Sequence, residues 1–194
     1  MHPTDKIKSY EVLLKKWQKK MNLVAPSTMG DLHKRHFDDS FQLHPLLPDN
    51  AAIIYDLGSG AGFPGMVLAI NNPERSFHLI ESHQRKAGFL QTLRRELELT
   101  NVTIHPERIE NCVRPLPAPD LITARALTEL ENILDLTSAW AAKNLELTYI
   151  LPKGAQAEKE IEAARKRFLF DIKDTPSQTD KNSRILYLSS VRQR

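Results

Sequence analysis

Along residues 7–21 the apolar side chains Ile7, Tyr10, Leu14, Trp17 and Met21 recur at alternating spacings of three and four, with lysines on the other faces. That is one stripe of an amphipathic helix. Pro26 breaks the pattern, Ser27 or Thr28 can open a new turn, and the spacing predicts a second helix from Asp31 to Leu43, ended by Pro45 and Pro48. From residue 52 the pattern changes to short apolar runs separated by helical segments. It predicts strands at 52–57, 76–81, 102–105, 121–124 and 145–151, with helices at 64–70, 83–97 and 128–142. Alternation at this pitch implies parallel strands with helices on both faces. The end of the chain differs: a helix at 156–167 precedes strands at 168–172 and 184–191, joined by a polar loop rather than a helix. These two strands are expected to form an antiparallel hairpin at one sheet edge. The expected architecture is therefore an α/β, mostly parallel seven-stranded sheet, with residues 1–48 as an N-terminal helical cap and 49–194 as the main domain.

Length supports this division, since 194 residues suffice for one well-buried α/β domain plus a small addition. Lysine and arginine exceed acids by only 27 to 24, but residues 1–20 carry six lysines against two acids. A basic face at one end suits a phosphate-rich partner such as nucleic acid, and it equally suits a solvated helix surface; charge alone leaves both open. The single cysteine, Cys112, excludes an internal disulfide and a cysteine zinc site, and no metal is expected. No run approaches the ~20 apolar residues of a membrane span, and the N-terminus has no apolar core of a signal peptide. A cytoplasmic location is expected.

The candidate chemistry lies at residues 56–65, Asp-Leu-Gly-Ser-Gly-Ala-Gly-Phe-Pro-Gly, between the first expected strand and its helix. Ligands of parallel α/β sheets bind at such junctions, and glycine lets a ligand approach the backbone closely. The glycines fit two patterns, G-x-G-x-x-G at Gly60, Gly62 and Gly65 and G-x-G-x-G at Gly58, Gly60 and Gly62, so spacing does not separate a dinucleotide from S-adenosylmethionine. Glu81, at the end of the next strand, is placed to accept hydrogen bonds from ribose hydroxyls, which both ligands carry. Asp56, expected near the ligand, would favour a cationic sulfonium or ammonium over a pyrophosphate. No room remains for the second domain a nicotinamide enzyme usually needs. S-adenosylmethionine is the preferred ligand.

The ordered set Trp17 with Asn22-Leu23, Arg35-His36 with Asp39-Ser40, the loop 56–65, Glu81-Ser82 with Arg85-Lys86, Phe89-Leu90, Arg108 with Glu110, Arg125-Ala126 and Lys153-Gly154 resembles one family. It is that of the RsmG (also called GidB) bacterial 16S rRNA guanine-N7 methyltransferases, and the resemblance runs from about Tyr10 to Val191. It implies a Rossmann-like S-adenosylmethionine-dependent methyltransferase fold with an N-terminal helical extension. It also implies cofactor contacts from Gly58 and Phe63, from Ile109-Glu110 and from Arg125, beside Gly60 and Glu81 from the reading of the loop. The implied target is guanine 527 of 16S rRNA in standard rRNA numbering, as free rRNA or within the small ribosomal subunit; a monomer is expected. Lys15, Lys16, Lys19, Lys20, Arg35, Lys86 and Arg125 are the expected phosphate contacts. Guanine N7 carries a free lone pair, so no general base is named, and Cys112 is expected to be inert. Methylation at another RNA site or of a small molecule is the alternative.

Overall fold

The computed structural model describes the whole chain, residues 1–194. Helix α1 (Pro3–Gln18) starts with a proline in its first turn, where the missing N–H costs no intrahelical bond, and buries Tyr10 and Leu14. Beyond it the side chain of Gln18 turns the chain back: its Nε2 donates to the Val24 carbonyl and its Oε1 accepts from the N–H groups of Leu23 and Val24. The expected second helix is a broken run instead. A 3₁₀ turn (Pro26–Asp31) passes to a π-helical turn (His33–Asp38), then to one turn of α-helix, α2 (Asp39–Phe41), and a 3₁₀ turn (His44–Leu46). The wider π turn lets the sequence neighbours His36 and Phe37 both face inward, where a regular helix would separate them by 100°.

The main domain runs β1 (Ile53–Leu57), α3 (Gly65–Asn71), β2 (Ser76–Ile80), α4 (Gln84–Glu96), β3 (Val102–His105), α5 (Ile109–Cys112), β4 (Leu121–Thr123), α6 (Leu130–Lys143), β5 (Thr148–Lys153), α7 (Ala157–Ala164), β6 (Phe168–Pro176) and β7 (Arg184–Gln193). The seven strands lie in the order β3-β2-β1-β4-β5-β7-β6. Pairings from β3 through β5 are parallel, while β7 is antiparallel to both β5 and β6. The mostly parallel seven-stranded sheet with an antiparallel edge hairpin is thus the observed fold. Strand order reverses beside β1, which opens a crevice at the C-terminal ends of β1 and β4.

Two details depart from expectation. Residues 144–147 form a turn, with the N–H of Leu147 donating to the Asn144 carbonyl, so β5 begins at Thr148 and carries Lys153 in the sheet opposite Arg184. The four-residue helix α5 lies in what the sequence pattern leaves as loop; it is too short for a periodic signal. The core forms two clusters, one on each sheet face. Tyr10, Leu14, Leu32, Phe37 and Leu43 of the N-terminal extension belong to the same cluster as Phe63, Phe77 and Leu90 of the main domain. The extension therefore shares a core with the sheet rather than burying its own.

Candidate active site

The β1–α3 loop is built on left-handed backbone. Gly58, Gly60 and Gly62 have φ of 64°, 58° and 96°, a region costly for other residues. The N–H groups of Gly58 and Ser59 both donate to the Ile80 carbonyl, and Glu81 secures the crest of the loop: its Oε2 accepts from Gly60 N at 2.8 Å and its Oε1 from His83 N at 2.7 Å. Glu81 is buried and lines neither cleft described below, so its first task is to hold the glycine backbone. From the other side the Tyr10 hydroxyl donates to the Ala61 carbonyl, which pins the loop to α1.

Asp56 does not take the place expected of it. It is fully buried beneath the loop, its Oδ2 accepts from Gly65 N at 3.2 Å, and it lines neither cleft. Gly65 is required by this packing, since a Cβ there would stand 2.6 Å from Oδ2. Burial pushes the Asp56 carboxyl up to about 7, and its Oδ1 has no hydrogen-bond partner. The residue fastens the loop from below and is not aimed at a ligand's positive charge. Pro64 precedes α3 as its cap rather than entering the first turn.

Two clefts meet above Gly58. The larger, about 810 Å³, lies between the N-terminal extension, the glycine loop, the β4–α6 segment, the end of β5 and the β6–β7 loop. The smaller, about 370 Å³, is bounded by Ile80, Ser82 and residues 107–110. Gly58, Leu127 and Thr128 line both. Leu127 packs directly on Gly58, where an added Cβ would lie 2.5 Å from its Cδ1. Leu127 follows Ala126, a non-glycine residue at φ 53°, and together they form the divider between the clefts.

Arg125 ties the extension to the sheet. Its Nη1 donates to Asp39 Oδ2 at 2.9 Å and to the Arg35 carbonyl at 3.2 Å, its Nη2 meets His36 Nδ1 at 2.9 Å, and its guanidinium lies 5.1 Å above the Phe63 ring. Phe63 is in turn stacked on Tyr10 and His36 and meets the edge of Phe37. Burial, followed by the positive charge of Arg125, lowers His36 to about 4. A neutral His36 accepting at Nδ1 carries its proton on Nε2 and donates to Thr28 Oγ1 at 2.8 Å, which donates to the Ala25 carbonyl. The β6–β7 loop closes the same wall. Thr179 donates to Asp39 Oδ1, Ser177 and Gln178 meet the Gln42 side chain, and Asp180 pairs with Arg35 at 3.0 Å.

Of the residues singled out in the sequence, Gly58, Gly60, Phe63, Arg125, Arg35 and Lys86 border the larger cleft, and Ile109 and Glu110 border the smaller. Lys15, Lys16, Lys19 and Lys20 are exposed on or just beyond α1, outside both clefts, with Lys15 paired to Glu11 at 2.6 Å. Cys112 is buried, and burial raises its thiol to about 11, a poor nucleophile. Several residues that build the site carried little signal of their own: Tyr10 read as one position of the amphipathic stripe, His36 only as part of the Arg35-His36 pair, Leu127 as one more apolar residue, and Ser177–Asp180 as polar loop. The pair Lys153–Glu160 was half visible, because Lys153 belongs to a recognisable motif while Glu160 lies among other helix acids.

A glycine-floored crevice at the strand reversal of a seven-stranded sheet whose β7 runs antiparallel fits the Rossmann-like methyltransferase fold. Solved structures agree at the level of fold. An S-adenosylmethionine-dependent O-methyltransferase from Thermotoga maritima superposes with a TM-score of 0.58 at 17% identity, covering 81% of this chain and 66% of that one. M. jannaschii TYW2 in complex with AdoMet gives 0.59 at 14% identity, covering 82% and 76%. Residues 4–186 match the family described as rRNA small subunit methyltransferase G, and the chain belongs to that family. The ribosomal RNA small subunit methyltransferase G of Rhodospirillum centenum is 43% identical over 188 residues, 96% of this chain and 84% of that protein. That of Rhizobium rhizogenes is 41% identical over 192 residues, 97% and 93%.

Proposed function

We propose that this protein transfers the methyl group of S-adenosylmethionine to N7 of a guanine in 16S rRNA, guanine 527 in standard rRNA numbering, acting as a cytoplasmic monomer. The observation that carries the reading is the paired clefts meeting at Gly58 in a chain whose family match spans residues 4–186. The residues fit the cofactor: Gly58 and Gly60, both at positive φ, leave the floor of the larger cleft free of side chains, and a Cβ at Gly58, where the two clefts meet, would close it against Leu127. Ile109 and Glu110 with Ser82 would take the adenosine end, and the loop from Gly58 to Phe63 would take the methionine end. Arg125 stands at the mouth of the larger cleft, where a carboxylate or a phosphate would meet it.

When bound, the cofactor supplies an electrophilic methyl on sulfur. The chain's task is then to orient and to exclude water. The N7 lone pair lies in the ring plane and needs no proton removed, so alignment of nucleophile and methyl, worth up to ~7–11 kcal/mol for well-oriented reactants, suffices without a base. The titratable groups beside the site fit this economy: Asp56 is sealed under the loop and His36 is held between Arg125 and Thr28. The β6–β7 loop and the extension together form one side of the larger cleft. N7 lies in the major groove, which is deep and narrow in A-form RNA, so the target is an unpaired or distorted nucleotide.

Calorimetric titration tests the cofactor assignment. S-adenosylmethionine should bind with one site per chain and NAD should not, and Gly58→Asp should abolish binding. Binding of NAD without S-adenosylmethionine would return the glycine loop to its dinucleotide reading.

A further inference from the structure

The buried pair Lys153–Glu160 lines the larger cleft and not the smaller one. Lys153 ends β5 and Glu160 lies on α7; their side chains are 8% and 18% exposed, and Nζ stands 2.6 Å from Oε2. Nζ also donates to the Thr128 carbonyl at 2.7 Å, while Oε2 accepts from Leu130 N at 2.8 Å. Part of the pair's role is therefore structural, fixing the segment that carries Leu127. Its capacity is not exhausted by this. An ammonium has three donors, of which two are used; both protein contacts of the carboxylate fall on Oε2, leaving Oε1 without a protein partner. Both residues line the cleft. A desolvated cation and anion side by side thus offer one free donor next to one free acceptor.

We infer that Lys153 and Glu160 read the target base, Lys153 donating to guanine O6 and Glu160 accepting from guanine N1–H. The inference rests on the proposed action at guanine N7. Guanine presents an acceptor at O6 beside a donor at N1; adenine presents the reverse, an amino donor beside an acceptor at N1. The pair matches guanine and opposes adenine, and it grips the edge of the ring away from N7, which leaves that lone pair free. A site that hydrogen-bonds its substrate rejects an analogue lacking the partner group strongly, because its own buried polar atoms are left unpaired. The 2-amino group is not part of this recognition.

The test uses the full chain, labelled S-adenosylmethionine and small-subunit rRNA assembled with guanosine, inosine or 1-methylguanosine at the methylated position. With the unaltered protein, inosine should be methylated within about threefold of guanosine, and 1-methylguanosine, which lacks the N1 proton, at least about tenfold more slowly. In Glu160→Ala the guanosine rate should fall, and the ratio of guanosine to 1-methylguanosine should collapse toward one. A purely structural pair would lower both rates in proportion, so an unchanged ratio overturns the inference. So does a wild-type enzyme that rejects inosine. Should Glu160→Ala fail to fold, the two analogue rates with unaltered protein decide on their own. Absence of any methyl transfer to the guanosine rRNA would instead overturn the underlying reading of function, and this inference with it.

Discussion

Replacing Arg125 by methionine removes the group that joins the N-terminal extension to the sheet while keeping much of the aliphatic stem over Phe63. Three hydrogen bonds from the guanidinium are lost, to Asp39, the Arg35 carbonyl and His36. Bonds to charged groups contribute about 1.5–3 kcal/mol each, and the cation over Phe63 about 0.5–1 kcal/mol. Three considerations reduce the sum. The bonds share one side chain and are not additive, the pair is 17% exposed on each side, and Asp39 keeps its contacts from Gln42 and Thr179 through Oδ1. The expected loss is about 3 kcal/mol, or about 6–12 °C in melting temperature for a chain of this size. Urea unfolding of the wild type, Arg125→Met, Asp39→Asn and the double variant, without cofactor, isolates the Arg125–Asp39 coupling. It should be about 1–3 kcal/mol. A total loss below about 1 kcal/mol, or a coupling indistinguishable from zero, would refute the view that Arg125 fixes the extension over the site.

Other consequences are open to simpler measurements. His36 is held at about 4 and Asp56 at about 7, so their contributions to stability oppose each other. Between about pH 4 and 6.5 the unfolded chain protonates His36, which makes stability rise with pH; the folded chain keeps Asp56 protonated, which makes it fall. Asp56→Asn removes the second contribution, so its stability should climb by up to about 3 kcal/mol across that window where the wild type stays flatter; parallel curves from denaturant titrations would show that Asp56 is not held protonated in the folded chain. Gly58→Ala should weaken S-adenosylmethionine binding through collision with Leu127, and adding Leu127→Ala should recover part of the loss, since only the backbone strain of about 1–2 kcal/mol remains. No recovery would mean that Leu127 does not pack on the loop. Changing Lys15, Lys16, Lys19 and Lys20 together to glutamate should weaken rRNA binding and flatten its salt dependence with cofactor affinity intact, and unchanged rRNA affinity would remove α1 from the RNA contact.

The sheet was legible because its signal is repetitive. Each apolar run with a following helix repeats the same unit, and a loop in place of a helix before Arg184 marked the hairpin. The glycine loop was equally legible, as its left-handed positions exclude most other residues. What escaped depends on contacts between segments far apart in the chain. Asp56 at a strand end can face up toward a ligand or down into the core, and only the close packing of Gly65 against its carboxyl decides for the core. Arg125 reads as a free cation until Asp39 and His36 are brought beside it. Ser177, Thr179 and Asp180 look like any solvated loop, and their place on Gln42, Asp39 and Arg35 follows from the length and twist of the hairpin rather than from local composition.

The central claim, methylation of one guanine at N7, is tested most directly by mass mapping of 16S rRNA from cells with and without this protein. The account expects 7-methylguanine at guanine 527 when the protein is present, its loss when the protein is removed, and its return with the wild-type chain but not with Gly58→Asp. Unchanged 7-methylguanine at that position in cells without the protein, or a methyl group gained elsewhere, would contradict it.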